Sequence, residues 1–216
     1  MFNLLLKILP LDFAATLSPV ILALAVIILG SKLKPKASTL AFILGAVICG
    51  VIVSVVGIVF GNVIAGDKGT LTSAIIDIAM GIAFTAFAIK IIATKEKEKE
   101  PKEKIHTHPA LKWFLIAIVL NITNFDAVFL LFTAAREVGL AQINDLDKIG
   151  LWAMNIAFYT LPALLPLIIY LIIPRQASVV LAKLNAVLTK YSRYIMFVLF
   201  ILFGIYFLYR GIVFFV

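Results

Sequence analysis

The chain has 216 residues, of which 63% are hydrophobic and 14% are charged. A soluble domain is nearer half apolar, so the composition excludes the ordinary soluble classes and indicates an all-α polytopic membrane protein. The formal charge is +8, and the basic residues lie mostly between hydrophobic segments. Membrane topology and anionic lipid headgroups explain this distribution better than nucleic-acid binding does.

Six segments are long and apolar enough to cross a membrane, since a span needs roughly 20 mostly apolar residues. They are 11–30, 38–62, 71–93, 112–135, 149–173 and 194–215. Residues 1–10 are predicted to be an interfacial lead-in that Pro10 separates from the first helix. The charged run 95–111 is expected to be a solvated tether, and 175–193 has the spacing of an interfacial helix. The length allows one domain, over 1–216.

The distribution of lysine and arginine predicts the orientation. Most of the 19 basic residues lie in or beside the loops that follow spans one, three and five. Because basic loops stay on the cytoplasmic side, we expect a multi-pass protein of the cytoplasmic membrane with both termini outside the cytoplasm.

The two halves of the chain are weakly similar to each other. Span three contains 81-GIAFTAFAIKI-91 and span six contains 204-GIYFLYRGI-212, each with a glycine, an aromatic run and a cation. Three spans per half is an odd number, so the second half enters the membrane from the opposite side. We predict two inverted three-helix repeats, about 11–93 and 112–216, an arrangement that places a transport site near the midplane.

Span four carries the strongest candidate site, in the run 121-NITNFD-126. Its members are Asn121, Thr123, Asn124 and Asp126. An ionised carboxylate inside a membrane costs at least about 2.5 kcal/mol, so Asp126 must be protonated, paired or facing water. Counting from Lys112 places Asp126 beyond the centre of the span, toward the outer leaflet. The wide polar arc suits a helix that lines a cavity or is locally unwound; the alternative is that these side chains bridge neighbouring helices.

Other spans carry further polar and helix-bending residues. Asp77 in span three could join Asp126 in a proton or cation relay, or could be hydrated near the outer rim. Ser18 and Pro19 mark a kink in span one, where Ser18 could bond the freed carbonyl or face the substrate. Both are predicted to belong to a substrate path between spans one and four, whereas Asp12 is expected to be a solvated helix start. The remaining candidates are Asn155 and Tyr159 on one face of span five and the flex points Pro19, Pro162 and Pro166.

Some residues indicate packing or exclude chemistry. Gly50, Ser54, Gly57 and Gly61 form a small-residue stripe on span two, which favours close helix packing. His106 and His108 lack the further ligands that a metal site needs, so no metal or other cofactor is predicted. The single cysteine, Cys49, excludes a disulfide relay within the chain. Nothing in the pattern indicates an enzyme.

Three features of the chain together resemble the LysE superfamily of six-span exporters. They are the early SPVILALAVIILGSKLKPKASTLAFILGAVICG, the N-x-x-N segment of span four, and the ending from LPALLP to YRGI. The ending is most similar to the GAP family, the glycopeptidolipid- and sulfolipid-addressing proteins of mycobacterial envelopes. The matching positions are Pro162, Pro166, the turn Pro174-Arg175-Gln176-Ala177, and then Gly204, Arg210 and Gly211.

The resemblance implies export across the cytoplasmic membrane. Amino-acid exporters of the superfamily typically have Asn-Pro in span four, whereas this chain has Asn124-Phe125 followed by Asp126. This departure argues against an amino acid as the substrate and makes Asp126 distinctive.

The favoured hypothesis is a transporter of a lipid or lipid-linked amphiphile, with proton coupling through Asp126 and Asp77. Its partners would be membrane lipids and the substrate; a homodimer is left open. Arg175, Lys183, Lys190 and Arg193 are expected to contact lipid headgroups. One alternative is a LysE-type exporter of small cations or amino acids. The other is a non-transporting scaffold for envelope assembly.

Overall fold

The computed structural model describes residues 1–31, 34–65, 71–93 and 110–215, and the regular structure within these ranges is helical. The helices are α1 Phe2–Ala15, α2 Pro19–Leu29, α3 Pro35–Ala65, α4 Leu71–Ala93, α5 Ala110–Thr123, α6 Phe125–Leu140, α7 Asp145–Ile172 and α8 Ala177–Ile212, followed by a 3-10 turn at Val213–Phe215. His106, His108 and residues 95–109 of the tether lie outside the described residues.

Two of the expected spans are broken helices. The helices α3, α4, α7 and α8 are each long and apolar enough to cross a membrane. The pair α1 and α2 is bent by 53° and the pair α5 and α6 by 75°, so there are up to six spans if each pair counts as one. Pro19 is the first residue of α2, where its missing N–H costs no hydrogen bond. The predicted kink at Pro19 is therefore a complete break.

The expectation for the N-terminus is wrong. The helix α1 begins at Phe2 and contains Pro10, so Pro10 does not separate a lead-in from the first span. Ile8 and Leu11 on either side of Pro10 are fully buried. The apolar surface that they bury offsets the hydrogen bond that a proline removes from a helix.

The basic connector 175–193 is not a separate interfacial helix. From Ala177 onward it forms the first part of α8, which runs unbroken for 36 residues. At about 1.5 Å per residue this helix is about 54 Å long, whereas the hydrocarbon core is about 30 Å thick. One helix therefore contains both the span and much of the connector.

Glycines allow the helices to pack closely. A Cβ atom on Gly57 would lie 2.7 Å from the carbonyl oxygen of Phe132 in α6, and Cβ atoms on Gly61 and Gly139 would meet the backbone of the facing helix. On the same stripe, Gly50 faces the Tyr159 ring of α7. The predicted packing role of the glycines on this stripe is confirmed.

Gly139→Ala is expected to destabilise the protein by about 1–3 kcal/mol, because the new methyl group would overlap backbone atoms of α3 that cannot rotate away. A Cβ atom on Gly150 in α7 would have no neighbouring atom within 4 Å. The matched control Gly150→Ala should therefore be neutral or stabilising by up to about 1 kcal/mol. Thermal unfolding of both variants in detergent tests this difference, and equal midpoints would contradict it.

Candidate functional site

The two broken spans meet at their breaks. Ser18 precedes α2 and Asn124 precedes α6, and Nδ2 of Asn124 donates a hydrogen bond of 3.1 Å to Oγ of Ser18. Neither side chain caps its own helix. The break at Asn124 divides span four into helices of 14 and 16 residues, so it lies near the middle of the span.

A cavity of about 420 Å³ lies at this crossing. It brings together five of the predicted path residues, namely Ser18, Pro19, Thr123, Asn124 and Asp126. Lys90 of α4 and Arg193 of α8 also line it. Lys90 is the cation that ends the aromatic run of span three. Its sequence position indicated topology and the internal repeat, and its place in the cavity was not predicted.

Positively charged groups lie near Asp126. Asp126 lies in the first turn of α6, where the free N–H groups of the helix carry a positive partial charge. Lys90 and Arg193 place two cations in the same cavity. The carboxylate therefore lies at a helix start beside cations and not in the middle of a continuous apolar helix.

The depth of Asp126 in the membrane stays a prediction. Lys90 is in the last turn of α4, which leads into the basic tether, and Arg193 follows the basic connector. Asp126 shares their cavity, so it lies near the end of α4 that leads into the basic tether. The count from Lys112 assumed a straight helix, whereas α5 and α6 are bent by 75° at Asn124.

Arg193 contacts protein as well as the cavity. Its Nε donates to the carbonyl oxygen of Ile91 at 2.9 Å, and its Nη2 donates to that of Ile92 at 2.6 Å. These bonds connect α8 to carbonyls in the last turn of α4. Arg175, Lys183 and Lys190 are exposed, and their contact with lipid headgroups stays a prediction.

Three predicted path residues, Asn121, Asn155 and Tyr159, do not line the cavity. The hydroxyl of Tyr159 donates to the carbonyl oxygen of Asn121 at 3.4 Å, and Nδ2 of Asn121 donates to that of Ala117 at 2.8 Å. When the side-chain amide of Asn155 is oriented so that its nitrogen faces acceptors, this nitrogen donates to Oδ2 of Asp12 at 2.8 Å. The side chains of Tyr159 and Asn155 therefore bridge neighbouring helices, whereas that of Asn121 bonds within its own helix, α5.

Asp12 was expected to be solvated, and that prediction is wrong. Its exposed fraction is 0%. Because α1 continues through Pro10 to Ala15, Asp12 lies inside the bundle against Asn155 of α7 and not at the outer edge.

The prolines of span five do not interrupt it. Pro162 and Pro166 are buried inside α7, which is continuous from Asp145 to Ile172. Their role as flex points stays a prediction, whereas Pro19 stands at a real break.

Asp77 belongs to a different cluster. Its Oδ1 accepts from Nη2 of Arg136 at 2.9 Å, and its two oxygens accept from Nη2 and Nε of Arg210 at 2.5 and 2.6 Å. Glu137 accepts from Nη1 of Arg210 at 3.1 Å and from Nη1 of Arg136 at 3.5 Å. The exposed side-chain fractions are 0–5%, except for 27% at Arg210. We call these four residues the charge cluster.

Sequence reasoning missed Arg136 and Glu137 because it ended span four at residue 135. The helix α6 continues to Leu140, which brings both charges into the bundle. Asp126 and Glu137 are about 16 Å apart along α6, at about 1.5 Å per residue. A relay between Asp77 and Asp126 would therefore have to cross a long apolar gap.

That gap is a layer of closely packed side chains. Phe84, Phe200, Phe207 and Leu130 are buried in one cluster, and the rings of Phe84 and Phe207 stack at 5.6 Å. Asp77, Glu137 and Arg210 line a second cavity of about 560 Å³. The two cavities thus have separate sets of charged residues.

The comparisons with known proteins give one result at the level of the family. No curated protein and no solved structure matches the chain. A family model described as Sap, sulfolipid-1-addressing protein, matches residues 8–213. This match confirms the resemblance to sulfolipid-addressing proteins, while membership of the wider LysE superfamily stays a prediction. The chain therefore belongs to the family of Sap, sulfolipid-1-addressing protein.

Proposed function

We propose that the protein is a six-span transporter that moves a lipid or lipid-linked amphiphile with an anionic head group across the cytoplasmic membrane. The observation that carries this proposal is the crossing of two broken helices at a cavity that contains Asp126, Lys90 and Arg193. Broken helices that meet near the middle of a membrane are a recurrent way to build a transport site.

The helix contacts support two inverted repeats of three spans. The helix α3 of the first half packs on α5 and α6, and α7 of the second half packs on α1 and α2. The third helices of the two halves, α4 and α8, pack along each other. In each half, the second span thus packs on the first span of the other half. The first span of each half is the broken one.

An apolar groove beside the cavity favours an amphiphile over a water-soluble solute. It has a volume of about 360 Å³ and is lined by Ile52, Val53, Val56, Phe87, Phe125, Val128, Phe129 and Phe132. Phe87 lies one turn before Lys90, and Phe125 directly precedes Asp126, so groove and cavity are neighbours. A lipid whose head group lies in the cavity could place an acyl chain in the groove. A polar amino acid or a cation has no acyl chain that would fill this groove.

The charges in the cavity suit an anionic head group whose entry is coupled to a proton. Lys90 and Arg193 supply attraction, and the first-turn N–H groups of α2 and α6 add to it. An ionised Asp126 would repel the same head group. Entry of the head group therefore favours the protonated form of Asp126, and its departure favours the ionised form. The family description, which names a sulfolipid, agrees with an anionic head group.

Asp126→Asn is expected to lower lipid translocation at least tenfold, the effect of raising the barrier by about 1.4 kcal/mol. The assay uses purified protein in liposomes and follows a fluorescent anionic lipid and proton flux together. Asp145→Asn is the matched control, because Asp145 also lies in the first turn of a helix but is exposed and far along the chain from the breaks.

Other outcomes of this assay would select the alternatives. Saturable transport of an amino acid or small cation, without lipid movement, would favour a LysE-type exporter. If wild type and both variants move neither lipid nor solute, the scaffold alternative replaces transport.

A further inference from the structure

The charge cluster is divided between helices in a particular way. Asp77 is on α4 and Arg210 is on α8, whereas Arg136 and Glu137 are neighbours on α6. Two of the ion pairs, Arg136 with Asp77 at 2.9 Å and Arg210 with Glu137 at 3.1 Å, connect α6 to the other two helices. We call these the cross pairs.

The helices on the two sides of the cross pairs form two tightly packed bodies. In the first body, α4 and α8 approach closely: a Cβ atom on Gly81 would lie 2.7 Å from the backbone nitrogen of Leu208, and one on Gly211 would lie 2.8 Å from the carbonyl oxygen of Ala74. In the second body, α6 packs on α3 through Gly57, Gly61 and Gly139. Within each body the helices pack backbone to backbone. A movement of one body relative to the other would therefore have to break the cross pairs.

Each body remains electrically balanced when the cross pairs break. The first body keeps Arg210 bound to both oxygens of Asp77, at 2.5 and 2.6 Å. The second body keeps Arg136 beside Glu137, with 3.5 Å between Nη1 and Oε1. Losing a buried ion pair is costly chiefly when it leaves one charge without a partner. Separation of these bodies leaves one cation and one carboxylate on each side.

The cluster is also in the place where a closure is needed. It forms part of the wall of the second cavity, which includes Lys7 and Ser73 and lies beyond the apolar layer from Asp126. From these observations we propose that the charge cluster is a gate, which closes the path on the side opposite the basic loops and opens by breaking the cross pairs while the other two ion pairs of the cluster stay intact. This inference rests on the proposed function, because a gate requires a path.

A thiol placed behind the cluster reports whether it opens. Cys49 is the only cysteine of the chain, so Cys49→Ala with Thr133→Cys gives a single reporter. Thr133 is fully buried on α6, one turn before Glu137. The gate variant adds Arg136→Gln and Glu137→Gln, which remove both cross pairs, conserve net charge and leave Asp77 bound to Arg210. The matched control adds Asp145→Asn and Lys36→Gln, an exposed acid on α7 and an exposed cation on α3.

The measurement is the rate at which a charged, membrane-impermeant maleimide labels residue 133 in liposomes. We expect about tenfold faster labelling in the gate variant than in the reporter parent, with the control equal to the parent. Equal rates in all three proteins would overturn the gate. If the gate variant aggregates, Glu137→Gln alone removes one cross pair and should give an intermediate rate; no increase there would also overturn it.

Lipid movement in the same vesicles separates the two proposals. If the gate variant labels faster while the reporter parent moves no lipid, the gate stands as a moving contact and lipid transport fails. If the reporter parent moves lipid and all labelling rates are equal, lipid transport stands and the gate fails.

Discussion

Arg136→Gln is expected to destabilise the folded protein by about 3–5 kcal/mol, the range for removing one partner of a buried ion pair. Arg136 has a fully buried side chain and is bound to Asp77. Without it, the carboxylates of Asp77 and Glu137 share the single guanidinium of Arg210. Equilibrium unfolding in mixed micelles gives the change in free energy.

The decisive comparison is with the double variant Arg136→Gln/Glu137→Gln. This protein has lost one charge of each sign, so most of the stability should return, and the two losses should be strongly non-additive. Arg175→Gln is the control, since Arg175 is exposed and its change should stay within about 0.5 kcal/mol. Two additive losses would show that the charges do not act as a unit.

Lys90→Gln is expected to slow translocation of an anionic lipid about tenfold, corresponding to about 1.4 kcal/mol of lost attraction. Translocation of a zwitterionic lipid with the same chains should change much less, because its head group has no net charge to lose. Lys90 is a cleaner probe than Arg193, which also bonds two backbone carbonyls. The two lipids are compared side by side in one liposome preparation.

The control for this variant is Lys36→Gln. Lys36 is exposed in the first turn of α3 and does not line the cavity, although it is predicted to face the same side. If Lys36→Gln slows the anionic lipid as much as Lys90→Gln does, general surface charge explains the effect. If Lys90→Gln slows both lipids equally, Lys90 does not select the head group.

Local patterns were enough to find the helices and much of the cavity. The apolar runs predicted the membrane class, and the polar run from Asn121 to Asp126 predicted an unwound or cavity-lining segment. The break at Pro19 was harder, because a proline inside a helix and a proline at the first position of a new helix look alike in sequence. The difference depends on whether Ser18 finds a partner elsewhere, and that partner, Asn124, is far away in the chain.

The errors arose where distant residues change the meaning of a local signal. Charges usually mark the edge of a membrane span, so Arg136 and Glu137 were assigned to a loop. Their charges are compensated by Asp77 and Arg210, which come from two other helices. Asp12 is a similar case, since its partner Asn155 belongs to the other half of the chain. Short sequence windows contain neither partner.

The charge cluster also has a consequence for the order in which the chain is synthesised. Asp77 emerges first, Arg136 and Glu137 follow with α6, and Arg210 comes only with α8. Until α8 has been inserted, two carboxylates face one guanidinium inside an apolar bundle, and that excess negative charge weakens any early assembly. The charge cluster therefore becomes neutral only when the final helix arrives.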